Sequence, residues 1–302
     1  MIFDVLGLGA VALDEFLYVD EYPAPDTKVR VREAQTQCGG LTGNALVTAA
    51  RLGARCAYAG RLGTSAAARE IEATFASEGV DTRHASRRPE DGVVTSTIVV
   101  GTQGNTRNVF SRRNGSTGAH EFEPAEDVLR SSRVLFIDHH GGAGAVRAAK
   151  MAVSWRIPVV ADFERLDAPF LEELLGLTGH LIVPEEFARA FTSADSAAES
   201  ARRLGRAGRE ITVVTSGGEG FWLVERNSAP VHFPAFPVDV VDTACCGDVF
   251  HGAYAAALAE GMPLENRLRF ASAAAALKAT RTGGQKAIPR RGQVEAFLDR
   301  VE

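Results

Sequence analysis

Five short apolar runs, at residues 3–8, 134–137, 158–161, 181–183 and 211–215, are separated by longer stretches in which apolar positions recur every three or four residues. Unbroken short runs predict strands buried on both faces, and the longer spacing predicts amphipathic helices. The helices expected are 42–52, 65–77, 144–155, 196–207, 249–260, 264–280 and 293–301, several ending at a glycine such as Gly53, Gly79, Gly208 or Gly261. Strands alternating with helices in this way predict an α/β fold with a mostly parallel sheet covered on both faces.

Two stretches break the rhythm. Residues 14–38 carry Pro23 and Pro25 between strand-like pieces, and within 91–114 the segments VVTSTIVV, GTQGN and TRNVF predict a hairpin. Together they predict one small β-sheet that projects from the α/β body and closes over a ligand.

Bulk properties narrow the partner. The chain has 302 residues, 45% of them hydrophobic, and its 33 Lys and Arg against 38 Asp and Glu leave a net charge of −5. No basic block reads as a patch for nucleic acid or membrane, so a small molecule is expected. Cys38, Cys56, Cys245 and Cys246 show no CxxC spacing, which fits a reduced, cytoplasmic protein. The opening MIFDVLGLGA is a short apolar strand without a basic start, and no run approaches membrane-spanning length, so neither export nor insertion is expected.

Chemistry concentrates where VDVVDT breaks into ACCGD and restarts as the helix VFHGAYAAALAEG. A helix beginning near Gly247 leaves its first N–H groups unpaired, and these with the helix dipole favour an anion. Asp248 stands beside that cradle, able to take a proton from a hydroxyl attacking a phosphoryl group held on the amides. The same letters also serve as plain helix capping.

Gly7, Gly9 and Ala12 satisfy GxGxxA after a strand, but LDEFLYVDEYPAPD continues as strand and turn rather than the helix a dinucleotide site needs. The glycines read instead as a tight exit from the strand, leaving Asp14 near its carboxyl end, where an acid suits sugar hydroxyls. Gly39 and Gly40 lead to Asn44 and a helix, either a turn with a cap or bare backbone and an amide facing a polyol. VVTSGGEG at 213–220 is a strand and a three-glycine loop, either a hairpin turn or a surface on which a nucleotide lies.

Taken in order, GLGAVALDEF, CGGLTGNALVTAARLGA with GRLG, VVTSGGEG, DTACCGDVFHGAYAAAL and RFASAAAALKATRTGG resemble the ribokinase-like, or PfkB, carbohydrate kinase family over most of the chain. The resemblance implies a Rossmann-like ribokinase fold across 1–302 with lid inserts at about 14–38 and 91–114, and ATP-dependent phosphorylation of a sugar hydroxyl with Mg²⁺. It implies that Asp248 is the base, and that Gly247 with the amides of Cys245 and Cys246 forms the anion hole. Asp14, Gly40 and Asn44 then bind sugar, Thr215, Gly217 and Gly220 form the nucleotide loop, and the helix 270–280 flanks the adenine. Lids of some members pair, so a homodimer through the β lid is expected.

Departures from the family pattern bear on the site. Cys245 and Cys246 replace the Gly and Ala of a GAG run, which opens either small-residue packing or thiol redox sensitivity. In PEEFA, Glu185 and Ala188 stand where many members carry an Asn and a Glu associated with the metal, so the metal-proximal residues stay unassigned. The amino-terminal third resembles ketohexokinases and the carboxyl-terminal part bacterial sugar kinases including sulfofructose kinase, which favours a ketohexose or related acceptor. Lys28, Arg107, Arg112 and Arg113 fall in the lid, as solvated surface or as partners of an anionic sugar. His139 and His140, at the end of a core strand, either pack neutral or reach the pocket. A catalytically weak sugar- or nucleotide-binding sensor and a nucleoside kinase are the alternatives.

Overall fold

The computed structural model describes residues 3–101, 103, 106–205, 209–226 and 228–301. From the amino end, β1 (Phe3–Leu8), β2 (Ala12–Val19) and β3 (Glu33–Gly39) precede α1 (Leu41–Arg51). Next come β4 (Cys56–Tyr58), α2 (Ala66–Ser77), β5 (Val80–Asp81), β6 (Val93–Gly101) and β7 (Thr106–Asn114). α3 (Glu126–Arg130) opens a run of β8 (Ser132–Asp138), α4 (Gly142–Ser154), β9 (Val159–Asp162), α5 (Leu171–Leu177) and β10 (His180–Pro184). The chain continues through α6 (Glu185–Thr192), α7 (Ala197–Gly205), β11 (Ile211–Thr215), β12 (Phe221–Glu225) and β13 (Val231–Phe233) to α8 (Cys246–Ala259), α9 (Leu264–Ala279) and α10 (Arg291–Leu298).

The large sheet has the order β13-β12-β11-β10-β9-β8-β1-β4-β5, parallel except for the two antiparallel strands β12 and β13 at one edge. Its strands are apolar at consecutive positions because both faces are covered. In β8, Val134 and Phe136 pack with α1, α8 and α9, while Leu135 and Ile137 pack with α4 and α5. On the first face, small side chains let helices approach closely: a Cβ on Gly252 of α8 would collide with the Ala45 carbonyl of α1. Among the described residues no helix is long and apolar enough to cross a membrane.

A second sheet has the order β3-β2-β6-β7. β2 lies parallel to β6, placing Asp14 opposite Ser96, and β6 and β7 form the expected hairpin with Val94 opposite Arg113. Thr102, Gly104 and Asn105 of the hairpin turn lie outside the described residues, as do Arg206, Ala207 and Gly208 at the end of the helix expected over 196–207. This sheet joins the body at two points on its β2 and β3 strands: β2 leaves β1 through residues 9–11, and β3 runs through Gly40 into α1. Gly40 has φ +86°, and a Cβ there would press on the Ala10 carbonyl at 2.7 Å and Val11 Cα at 2.8 Å. Only glycine lets the two joints pass this closely.

Candidate active site

The junction at the start of α8 is held from behind. The Asp242 carboxylate accepts the Ala244 and Gly283 amides at 2.8 Å each, and the Val241 and Asp242 amides donate to the Ala279 carbonyl at 2.8 and 3.0 Å. Lys278, fully buried in α9, donates from Nζ to the Asp242 carbonyl at 2.8 Å and stands 3.7 Å from its carboxylate. An ammonium with no exposure beneath a helix tip adds positive potential there, and its charge opposes the upward displacement of both neighbouring thiols.

Cys245 caps α8 in the left-handed region, at φ 55°. The Cys246 amide, expected to be free for an anion, donates instead to the Thr243 carbonyl at 3.2 Å, because the left-handed cap folds the chain into a tight turn there. The amides of Cys245, Gly247 and Asp248 have no acceptor among the described residues. A Cβ built on Gly247 meets nothing within 4 Å, so the tip is open. That combination of free amides, dipole and space is what an oxyanion requires.

Asp248 is 7% exposed, and Asn44 Nδ2 donates to its Oδ2 at 2.7 Å. Burial pushes the Asp248 carboxyl well above the usual carboxylate range; Glu164, Asp138 and Asp14 add to the rise, while the Asn44 hydrogen bond opposes it. Asn44 is itself held by its amide on the Gly40 carbonyl at 2.8 Å and by Gln285. Asp14 is pushed up to about 6 by burial, with Ser96 hydrogen-bonding against the shift.

A cavity of about 360 Å³ lies between the carboxyl ends of β1, β8 and β9 and the inner face of the small sheet. Asp14, Gly40, Asn44, Cys245 and Asp248 all line it. Cys246 and Gly247 sit one step along the helix tip, outside its wall. Thr215, Gly217 and Gly220 also lie outside it, at the end of β11, where Gly217 (φ +56°) and Gly220 (φ +97°) flank a single turn. Glycine Cβ positions at 217 and 218 face open space, and Ser216 Oγ is buried without a partner. A loop with bare backbone and an unsatisfied hydroxyl suits a nucleotide.

Three carboxylates at this edge carry no signal in the sequence. Asp138 ends β8 and accepts the Ala10 amide at 2.7 Å, Thr42 Oγ1 at 2.8 Å and the His140 amide at 2.8 Å, tying β1, α1 and β8 together. Asp162 stands opposite it in β9, with Oδ1 unpartnered and Oδ2 3.5 Å from His251 Nδ1. Glu164 lines the cavity, its proton affinity raised by burial and by Asp138. His139 and His140 reach the cavity too. Burial pushes both imidazoles down, His139 to about 4, which favours their neutral forms.

Burial also raises the Cys245 thiol and takes that of Cys246 to about 11, which favours packing over redox reactivity. Glu185, first in α6, is engaged with Arg189 at 3.5 Å, and Ala188 is buried. Among the described residues no three His, Cys, Asp or Glu side chains stand close enough to hold a metal ion. Such a surface fits Mg²⁺ only as an ion that keeps waters and is held chiefly by nucleotide phosphates.

A family model described as pfkB family carbohydrate kinase matches residues 4–291. The chain is 27% identical to ribokinase of Haemophilus influenzae over 97% of each protein. It is 26% identical to ketohexokinase of Mus musculus, covering 88% of this chain and 92% of that one. The structure of Arabidopsis thaliana ribokinase complexed with ribose and ATP superposes with a TM-score of 0.86, covering 99% of both chains at 21% identity, a likeness of fold.

Proposed function

The chain belongs to the pfkB family of carbohydrate kinases, and from that premise we propose that it moves the terminal phosphoryl group of ATP onto a monosaccharide hydroxyl bound beside Asp248. The observation that carries the assignment is Asp248 lining the cavity at the first turn of α8, next to amides that lack acceptors.

In this reading the small sheet is a lid. Asp14, Asn44 and the Gly39–Gly40 backbone hold the hydroxyls, and the turn after Thr215 takes the nucleotide. The transferred group's oxygens rest on the free amides, with Lys278 reinforcing the positive end from behind. Asp248 receives the hydroxyl proton late in transfer, and its raised proton affinity suits that task. Asn44 keeps the receiving oxygen aimed at the cavity. Mg²⁺ carried on the nucleotide would offset the phosphate charge that repels the incoming oxygen.

The ribokinase relative directs the first tests to pentoses, with ketohexoses next, as the ketohexokinase relative indicates. The open helix tip supports transfer over a sensor that only binds. Exposed Phe110, on the face of β7 turned away from the cavity, supports pairing of lids in a homodimer. The deciding experiment follows ADP and phosphosugar formation by mass spectrometry across aldoses, ketoses, nucleosides and sugar acids. Product from sugars is expected; product from nucleosides alone, or none with sugar still bound, would overturn the reading.

A further inference from the structure

The inner face of the hairpin carries two arginines that the roles assigned above leave unused. Along β7, Arg107, Val109, Ser111 and Arg113 line the cavity at every second position, as the period of a strand requires. Both arginines are exposed, and neither guanidinium has a hydrogen bond or ion pair among the described residues. Six residues of strand separate them by about 20 Å, so they serve opposite ends of the cavity. Arg107 acts on Cys246 at the helix tip and on Glu164. Arg113 acts on His139 and His140.

The Arg113 end is built for an anion. His140 Nδ1 is buried there without a partner, and its ring lies 4.2 Å from that of His139, tilted by 36°, with His139 only 5% exposed. Arg165 stands at the rim, already bound to Asp167 at 2.6 Å. The opposing acids are accounted for: the Asp138 carboxylate is filled by three donors, and Glu164, whose amide donates to His139 Nδ1 at 3.4 Å, is pushed toward its neutral form by burial and by Asp138. Neutral hydroxyls are served by Asp14, Asn44 and the glycine backbone. They give an unpaired guanidinium beside an unsatisfied imidazole nothing of matching strength, whereas an oxyanion does.

We propose that the acceptor is an acidic monosaccharide, whose phosphate, sulfonate or carboxylate lies away from the reacting hydroxyl and is held by Arg113 and His140. The inference rests on the kinase reading for its orientation. Arg107, whose charge reaches the helix tip, then meets the transferred phosphoryl group rather than the sugar's own anion.

The test compares kcat/KM for D-ribose and D-ribose 5-phosphate, for D-fructose, D-fructose 6-phosphate and 6-deoxy-6-sulfo-D-fructose, and for D-gluconate. Wild type, Arg113→Gln and Arg107→Gln are measured, with calorimetric binding of the same sugars without ATP and thermal unfolding as a folding control. At least one acidic sugar is expected to exceed the neutral sugars by ten- to a hundredfold, about the worth of one charge-assisted contact. Arg113→Gln should erase that preference mainly through KM, and the preference should weaken as salt rises. Arg107→Gln should lower turnover on all acceptors alike. The arms carrying phosphate, sulfonate and carboxylate identify which anion is meant. Preference for neutral sugars, or a preference untouched by Arg113→Gln, overturns the inference and leaves the kinase standing. Arg113-dependent binding of an acidic sugar with no ATP consumed upholds the anion site and overturns the kinase reading.

Discussion

Asn44 and Asp248, 204 residues apart in sequence, meet at 2.7 Å, with the amide of one donating to the carboxylate of the other. The contact joins the first turns of α1 and α8, so the groups proposed to hold the sugar and to deprotonate it are set by one pair of helices packed through small residues.

Asp248→Asn keeps the size and the bond to α1 while removing the proton acceptor. Turnover should fall by about 10²- to 10⁴-fold, the usual weight of a positioned base. Nucleotide affinity, measured by calorimetry, should change little. Near-normal turnover would remove Asp248 from the proposed role.

The pH profile follows from the charges around that base. Asp248 works ionised, so activity rises with pH through its pKa, and burial places that rise above the ordinary carboxylate range. Glu164 raises the Asp248 pKa further, so Glu164→Gln should move the acid limb of kcat/KM to lower pH. A limb that stays put or moves upward would show that another group governs it.

Asp14 is held at about 6 against an ordinary 3.8, so the fold favours its protonated form and loses stability as pH rises through that window. Asp14→Asn should therefore stabilise the protein at pH 7.5 by up to about 3 kcal/mol, with the gain vanishing below pH 4. Sugar KM should rise in the same variant. Thermal melts at both pH values test the first half, and acceptor kinetics the second.

Lys278→Met removes a buried ammonium and leaves the Asp242 carbonyl without its donor. Breaking such a pair costs about 3 kcal/mol. The expected result is a lower melting temperature together with weakened ADP or phosphate binding at the tip. A drop in stability with unchanged anion affinity would confine Lys278 to a structural part.

Cys245 adopts φ 55°, where glycine is at ease and a side chain is not. Cys245→Gly should keep activity and raise stability by about 0.5–1 kcal/mol, the strain relieved exceeding the chain entropy added. Cys246, at about 11, should alkylate roughly a hundredfold more slowly than a free thiol at neutral pH.

Residues carried by local patterns are legible in the amino-acid sequence. Asp248 follows a glycine at a strand-to-helix break, and Asn44 and Gly40 sit in a glycine turn at the start of a helix. Asp138 and Glu164 give no such signal, because their importance comes from the strand register that sets Asp138 beside Asp162 at one sheet edge. Lys278 has the pattern of a surface lysine in an alanine-rich helix; its burial depends on the far side of the α8–α9 packing. The three-residue β4 and two-residue β5 are too short for periodicity to reveal. The engagement of the Cys246 amide is hidden for a different reason, since nothing in the letters shows that the preceding cap turns left-handed.

Ala10 and Gly40, in the joints that carry β2 and β3, stand in the wall of the cavity rather than behind it. Whatever occupies the cavity therefore presses on the pivots themselves. In the proposed lid, a rigid compound wedged against Ala10 and Gly40 would act as a doorstop, jamming the gate ajar, and raising the ATP concentration would not dislodge it.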